Sequence, residues 1–180
     1  MGRVVAVEYV SLDGVMEDPA WTAPFFNDEI AKYQNDQLFR SGALLLGRVT
    51  YEGFAASWPS MEATEGDFAV RMNTLPKHVA STTLHELEWN ARLIEGDVPA
   101  AVAALKEQPG QDLLIYGSGE LVRTLTRHNL IDEYRLLVHP VILGSGKRLF
   151  EGVGEAPALK LADTVTFSSG VVSLVYEPAR

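Results

Sequence analysis

The stretch DLLIYGSGELVRTL, residues 112–125, is apolar, then small, then apolar again. Four residues, Leu113 to Tyr116, run into Gly117-Ser118-Gly119, after which leucine and valine recur at helical spacing. The pattern predicts a buried strand, a glycine turn and an amphipathic helix. A helix that opens on glycines presents unpaired backbone N–H groups and the positive end of its dipole. Two interpretations stay open: a loop that holds a phosphate, or a tight turn that needs positive φ.

A second strand-to-helix junction and the end of a third strand also carry groups that suit an anion. The segment LLLGRVTYEGF ends an apolar strand at Gly47 and places Arg48 and Thr50 at the start of a helix. Arginine offers a planar fork of donors that suits phosphate, and Thr50 either caps the helix or donates its hydroxyl to a pyrophosphate. A third strand ends in ASTT, where Ser81 and Thr82 supply small hydroxyl donors. Ligands of open α/β sheets bind beyond the carboxyl ends of the strands, so neighbouring strands would make these ends one binding edge.

The whole pattern predicts about eight strands and four helices. Strands and helices alternate over roughly the first two-thirds, which implies parallel strands and crossover helices. Asn27 caps one predicted helix and Asp97 opens another. A long strand over residues 133–143 contains Pro140, which indicates an edge position or a bulge because proline cannot donate to a ladder. With the final antiparallel hairpin, the predicted fold is a mixed, mostly parallel eight-stranded α/β sheet with flanking helices.

The composition of the chain argues against several classes of function. The chain has 180 residues, a formal net charge of -9 and no cysteine, so we expect one domain, 1–180, without disulfides or thiolate zinc sites. The acidic charge and the lack of a basic stripe argue against nucleic-acid binding. No apolar run reaches the roughly 20 residues of a membrane span, and no signal peptide is recognisable, so we expect a cytoplasmic protein. The histidines have no metal-ligand spacing, and we expect no metal site.

A family resemblance joins these segments. The order G-R-x-T-Y-E after the second predicted strand, S-T-T after the third and I-Y-G-S-G-E-L after the fifth resembles the dihydrofolate reductase fold. The segment LIDEYRLLVHPVILGSGKRLF, together with SLDG near the start, is similar to the C-terminal reductase domain of the bifunctional riboflavin-biosynthesis deaminase/reductase. The resemblance covers residues 3 to 177, and because the sequence has no cysteine for the zinc ligands of the deaminase half, we expect that half to be missing.

The resemblance implies an NADPH-dependent reductase of a small heterocyclic substrate, such as 5-amino-6-(5-phosphoribosylamino)uracil or a pterin, and it supports a homodimer through the C-terminal end. Glu120 departs from the dihydrofolate reductases, where this position is often basic, and a carboxylate there repels phosphate. The implied cofactor-binding residues are Gly47, Arg48, Thr50, Ser81, Thr82, Gly117, Ser118, Gly119, Glu120 and Leu121.

The proton donor is the least defined part of the predicted site. Dihydrofolate reductases carry a carboxylate on the first helix, but Asp28 and Glu29 suit the dipole at that helix start. Asp13, in the Asp-Gly turn after the first strand, is the candidate for a catalytic substrate contact, or else a plain turn residue. Glu8 is an unusual carboxyl in a buried strand.

Two other classes of protein stay open: a nucleotide-binding homodimeric module without turnover, and a homodimeric α/β domain whose glycines are only turns.

Overall fold

The computed structural model describes residues 2–179. Its strands are β1 Val4–Val10, β2 Ser41–Gly47, β3 Lys77–Ala80, β4 Ala91–Leu93, β5 Asp112–Tyr116, β6 Glu133–Val138, β7 Leu159–Thr166 and β8 Val172–Pro178. Its helices are α1 Asp28–Arg40, α2 Arg48–Ser57, α3 Glu62–Glu65, α4 Asp67–Thr74, α5 Val98–Glu107 and α6 Gly119–Arg127. Short 3₁₀ helices span Pro19–Phe25 and Trp58–Ser60. None of the helices in residues 2–179 is long and apolar enough to cross a membrane.

The strands form one eight-stranded sheet in the order β4-β3-β2-β5-β1-β6-β8-β7. The six strands from β4 to β6 pair in parallel, and β8 and β7 add an antiparallel edge. This confirms the predicted mixed sheet and its C-terminal hairpin. Because β2 lies between β3 and β5, the three strand ends that carry anion-compatible residues are neighbours, as the binding-edge interpretation requires.

The sheet separates two apolar cores. Alternate residues of β1 enter different cores: Val5 and Val7 pack with α1, α2 and α4, whereas Val4 and Ala6 pack with α5 and α6. The predicted caps form, since Asn27 accepts from the backbone N–H of Ile30 and Asp97 accepts from that of Ala100. These caps fix where α1 and α5 begin beside the sheet.

The prediction for Pro140 is wrong. Strand β6 ends at Val138 and lies between β1 and β8, so it is neither an edge strand nor a strand that contains the proline. Without an N–H, Pro140 cannot continue the ladder, and the chain turns: the Val141 N–H donates to the His139 carbonyl at 2.8 Å. The four predicted helices are also too few, because residues 2–179 form six α-helices, two of them the short α3 and α4.

Lys77 is a buried cation at the start of β3. Its side chain is inaccessible to solvent, its Nζ donates to the Asn73 carbonyl at 3.1 Å, and it lies 3.8 Å from the centroid of the Trp89 ring. Desolvation by burial lowers the pKa of Lys77 from 10.5 to about 8. Between these two values the unfolded chain binds more protons than the folded one, so the contribution of Lys77 to stability rises with pH.

Lys77→Met is therefore expected to remove a pH-dependent gain in stability. Relative to the variant, the wild type should gain up to about 3 kcal/mol as pH rises from 8 to 10.5, at roughly 1.4 kcal/mol per pKa unit. Calorimetric melting of both proteins across this range measures the difference. Parallel curves of melting temperature against pH would contradict the assignment.

Candidate active site

A cleft of about 1870 Å³ opens where β2, β3 and β5 end. It runs from the starts of α2 and α6 to side chains of α1 and α4. All ten residues predicted to bind a cofactor lie along it: Gly47, Arg48, Thr50, Ser81, Thr82, Gly117, Ser118, Gly119, Glu120 and Leu121. The structure thus brings three separated segments of sequence to one rim. Their contact with a cofactor stays a prediction.

The glycine loop, residues 117–119, is locked to the start of α2 by hydrogen bonds. The Ser118 N–H donates to Thr50 Oγ1 at 3.0 Å, and the Gly47 N–H donates to Ser118 Oγ at 2.9 Å. Ser118 Oγ also donates to the Tyr116 carbonyl at 3.0 Å. Thr50 therefore does not cap α2, whose cap residue is Gly47. The hydroxyl groups of Thr50 and Ser118 hold the two junctions together.

The backbone of this loop needs a residue without Cβ. Gly117 has φ +53°, and a Cβ placed there would lie 2.9 Å from Thr50 Oγ1. Ser118 also has positive φ, at 57°, and makes no side-chain cap to α6. The tight turn and a helix start without a side-chain cap are therefore both present, and Gly119, Glu120 and Leu121 at the start of α6 line the cleft.

The charged groups at this rim have both signs. Arg48 is exposed and forms an ion pair with Glu52 one turn along α2, at 2.5 Å. Ser81 Oγ accepts from the backbone N–H groups of Thr83 and Leu84, each at 3.1 Å, and lies 3.4 Å from Thr83 Oγ1. Glu120 is exposed in the first turn of α6 and lines the same cleft.

Asp13 is not among the residues that line the cleft. Its carboxylate accepts hydrogen bonds from Ser11 Oγ at 2.5 Å and from the backbone N–H groups of Leu143 and Gly144 at 3.2 and 2.8 Å. These bonds, the serine hydroxyl first, lower the pKa of Asp13 to about 2. The geometry favours a residue that joins two loops, and the catalytic role of Asp13 stays a prediction without support from its position.

Glu8 is the buried carboxyl of the cleft. The side chain is 2% exposed, lines the cleft beside the glycine loop, and has no hydrogen-bond partner at Oε1. Desolvation raises the pKa of Glu8 well above its usual range, and a hydrogen bond from the Gly117 backbone N–H lowers it only in part. The first-helix carboxylates offer no equivalent, because Asp28 and Glu29 are not lining residues and Glu29 accepts from the Ser168 N–H at 3.1 Å.

An aromatic wall of the cleft was missed by sequence reasoning. Ring contacts connect Tyr116 to Phe54, Phe54 to Trp58, and Trp58 to Phe68, with centroids 6.3, 6.5 and 5.3 Å apart. We name this wall, together with Tyr9 and Gln34, the aromatic end. Trp21 and Phe25 pack edge-on against the ring of His139, whereas Phe26 lines the cleft. Single aromatic residues in three helices and two strands carry no shared signal in the sequence.

The fold and the cleft define a dihydrofolate reductase-like α/β protein. The chain matches the RibD C-terminal domain over residues 3–173, and it belongs to that family. It is 34% identical over 176 residues to YyaP of Bacillus subtilis (strain 168), an uncharacterized protein, covering 97% of this chain and 94% of YyaP.

Two solved structures have the same fold. One is the diaminohydroxyphosphoribosylaminopyrimidine deaminase/5-amino-6-(5-phosphoribosylamino)uracil reductase of Thermotoga maritima, with a TM-score of 0.70 and 16% identity, covering 99% of this chain and 57% of that chain. The other is the dihydrofolate reductase of Enterococcus faecalis complexed with NADP(H), with a TM-score of 0.67 and 14% identity, covering 99% of this chain and 98% of that chain. Both are similar to this chain in fold.

Proposed function

We propose that this protein is an NADPH-dependent reductase of a small heterocyclic substrate. The observation that carries the proposal is the convergence of the β2, β3 and β5 ends on one cleft, with Arg48 and the uncapped start of α6 along its rim. The fold shared with a reductase of riboflavin biosynthesis and with an NADP(H)-bound dihydrofolate reductase supports it.

The rim has the chemistry that a dinucleotide needs. Backbone N–H groups at the start of α6 hold the pyrophosphate, and the missing side chain at Gly117 lets it approach the backbone. Arg48 supplies the positive charge, and the hydroxyls of Ser81 and Thr82 face the adenosine phosphate. The carboxylate of Glu120 repels the phosphates of the cofactor, so the preference for NADPH over NADH rests on Arg48 and the hydroxyls.

When bound, the nicotinamide supplies the hydride. The protein supplies the proton, and Glu8 is its source. Its surroundings keep the carboxyl protonated at pH values where exposed glutamates are ionised, and a donor with a raised pKa is suited to general acid catalysis near neutrality. This role takes the place of the carboxylate that dihydrofolate reductases carry on the first helix.

A second candidate is a nucleotide-binding homodimeric module without turnover. The carboxylate of Glu120 at the pyrophosphate site favours it, because the repulsion weakens productive binding of the cofactor. Following the nicotinamide absorbance with a panel of heterocyclic substrates separates the two candidates: oxidation of NADPH supports the reductase, and binding without oxidation supports the module. The homodimer itself stays a prediction.

NADPH titration followed by tryptophan fluorescence tests cofactor binding, since Trp58 lines the cleft. We expect saturable quenching in the wild type. In Arg48→Ala the dissociation constant should be about tenfold higher, because the variant loses roughly one charge-assisted contact with the cofactor. Arg40→Ala is the matched control, because Arg40 is exposed at the end of α1 and lies outside the cleft. Absence of quenching in the wild type would refute NADPH binding, and equal affinities would exclude Arg48 from the site.

A further inference from the structure

Two buried polar atoms at the aromatic end have no partner within the protein. They are Gln34 Oε1 on α1 and Tyr116 Oη on β5, whose residues are 6% and 9% exposed and line the cleft. An acceptor and a hydroxyl left unpaired in this way carry a desolvation cost that a bound ligand would remove. The pair therefore indicates which groups a ligand presents there.

Tyr9 contacts the first of these groups and interacts electrostatically with the second. Gln34 Nε2 donates to Tyr9 Oη at 3.1 Å, so the carbonyl oxygen of Gln34 is the atom left to accept. Burial raises the pKa values of both Tyr9 and Tyr116, and the two phenols also interact electrostatically. Both hydroxyls therefore stay protonated near neutral pH, and Tyr116 offers an O–H donor. A ligand that pairs both atoms offers an N–H to Gln34 Oε1 and a carbonyl to Tyr116 Oη.

Charge at this end disfavours phosphate. Four cations among residues 2–179 line the cleft. Arg48 lies at the start of α2 and Arg123 on α6, both beside the glycine loop, and Lys147 lies in the loop that follows β6. The fourth, Lys32 on α1, is exposed and forms an ion pair with Asp36 at 2.8 Å. Glu65 and Asp67 line the rim next to Phe68. A phosphate dianion would enter a setting that is apolar inside and acidic at the mouth.

We propose that the aromatic end binds an uncharged, planar heterocycle that carries a cyclic amide and no phosphate. The ring N–H donates to Gln34 Oε1, the adjacent carbonyl accepts from Tyr116 Oη, and Phe54 and Trp58 line the ring plane. The aromatic end thus differs in its demands from a site for a phosphoribosyl substrate. The interpretation of the aromatic end as a substrate site rests on the proposed reductase function. The contacts with the heterocycle can be tested by binding alone, without turnover.

Riboflavin and riboflavin 5′-phosphate are suitable probes, because both carry a cyclic imide, both fluoresce, and they differ by one phosphate. Titration of the protein saturated with NADP⁺ should give a dissociation constant for riboflavin at least about tenfold lower than for the phosphate ester. Tyr116→Phe and Gln34→Leu should each weaken riboflavin binding about tenfold and leave the affinity for NADP⁺ unchanged. Equal or tighter binding of the phosphate ester, no binding of riboflavin, or unchanged affinity in both variants would overturn the proposal.

Tyr33→Phe is the matched control. Tyr33 is on the same helix as Gln34, but its hydroxyl contacts Ser173 and Arg135, which do not line the cleft. The variant should bind riboflavin like the wild type. Competition between riboflavin and NADP⁺ would place the flavin at the glycine-loop end and overturn the proposal. Riboflavin binding that persists in a protein unable to bind NADP⁺ would refute the reductase and leave the aromatic end supported.

Discussion

Gly117→Val is expected to weaken NADPH binding by about a hundredfold or more, the largest effect of any single substitution at the rim. A Cβ at this position would lie 2.9 Å from Thr50 Oγ1, and the backbone has φ +53°. A β-branched residue is strained there by about 1–3 kcal/mol. Moving Thr50 would break its hydrogen bond with the Ser118 N–H, which joins the starts of α2 and α6. NADPH titration and thermal melting measure the two consequences.

Gly152→Val separates the loss of the site from backbone strain. Gly152 also has positive φ, at 71°, but a Cβ there would meet nothing within 4 Å, and the residue lies outside the cleft. This variant should lose stability through backbone strain alone and keep the wild-type affinity for NADPH. If Gly117→Val also kept that affinity, the glycine loop would not be the pyrophosphate site.

Glu8→Gln is expected to raise stability at neutral pH while it lowers turnover. The folded pKa of Glu8 lies above the ordinary value of 4.5, because burial disfavours the charged form. As pH rises above 4.5, the unfolded chain loses this proton and the folded chain keeps it, so the wild type loses stability. The glutamine side chain of the variant does not titrate in this pH range. Its melting temperature should therefore exceed that of the wild type at pH 8, and the difference should shrink as pH falls toward 4.5.

The second readout is catalytic. If Glu8 donates the proton in the proposed reduction, Glu8→Gln lowers kcat by about 10²–10⁴ and leaves NADPH affinity unchanged. Glu133→Gln is the control with the opposite sign, because the buried Glu133 carboxylate pairs with Arg3 at 3.5 Å and Arg135 at 2.5 Å. Loss of these pairs should destabilise the protein. A Glu8→Gln protein with the wild-type pH profile of stability would contradict the buried, protonated state.

Local patterns were enough to predict most of the strands, four of the helices and the three strand ends that meet at the rim. Apolar runs that end in small residues mark β2 and β5, and the Asn27 and Asp97 caps mark two helix starts. Each of these signals acts within a few residues of the chain, where backbone geometry and hydrogen bonding are local. Pro140 shows the limit: its missing N–H excludes it from a ladder, but only the strand order shows that β6 ends before it inside the sheet.

The sequence alone determined a mixed α/β sheet, the three strand ends with anion-compatible groups, and the family resemblance, because these depend on residue types at short and regular spacing. Only the tertiary structure decided that Asp13 is engaged between two loops, that Glu8 is buried at the cleft, and that Gln34 and Tyr116 reach the same end of it. Those outcomes depend on burial and on contacts between segments far apart in the chain. Desolvation sets a carboxyl's protonation state only after folding removes water from around it.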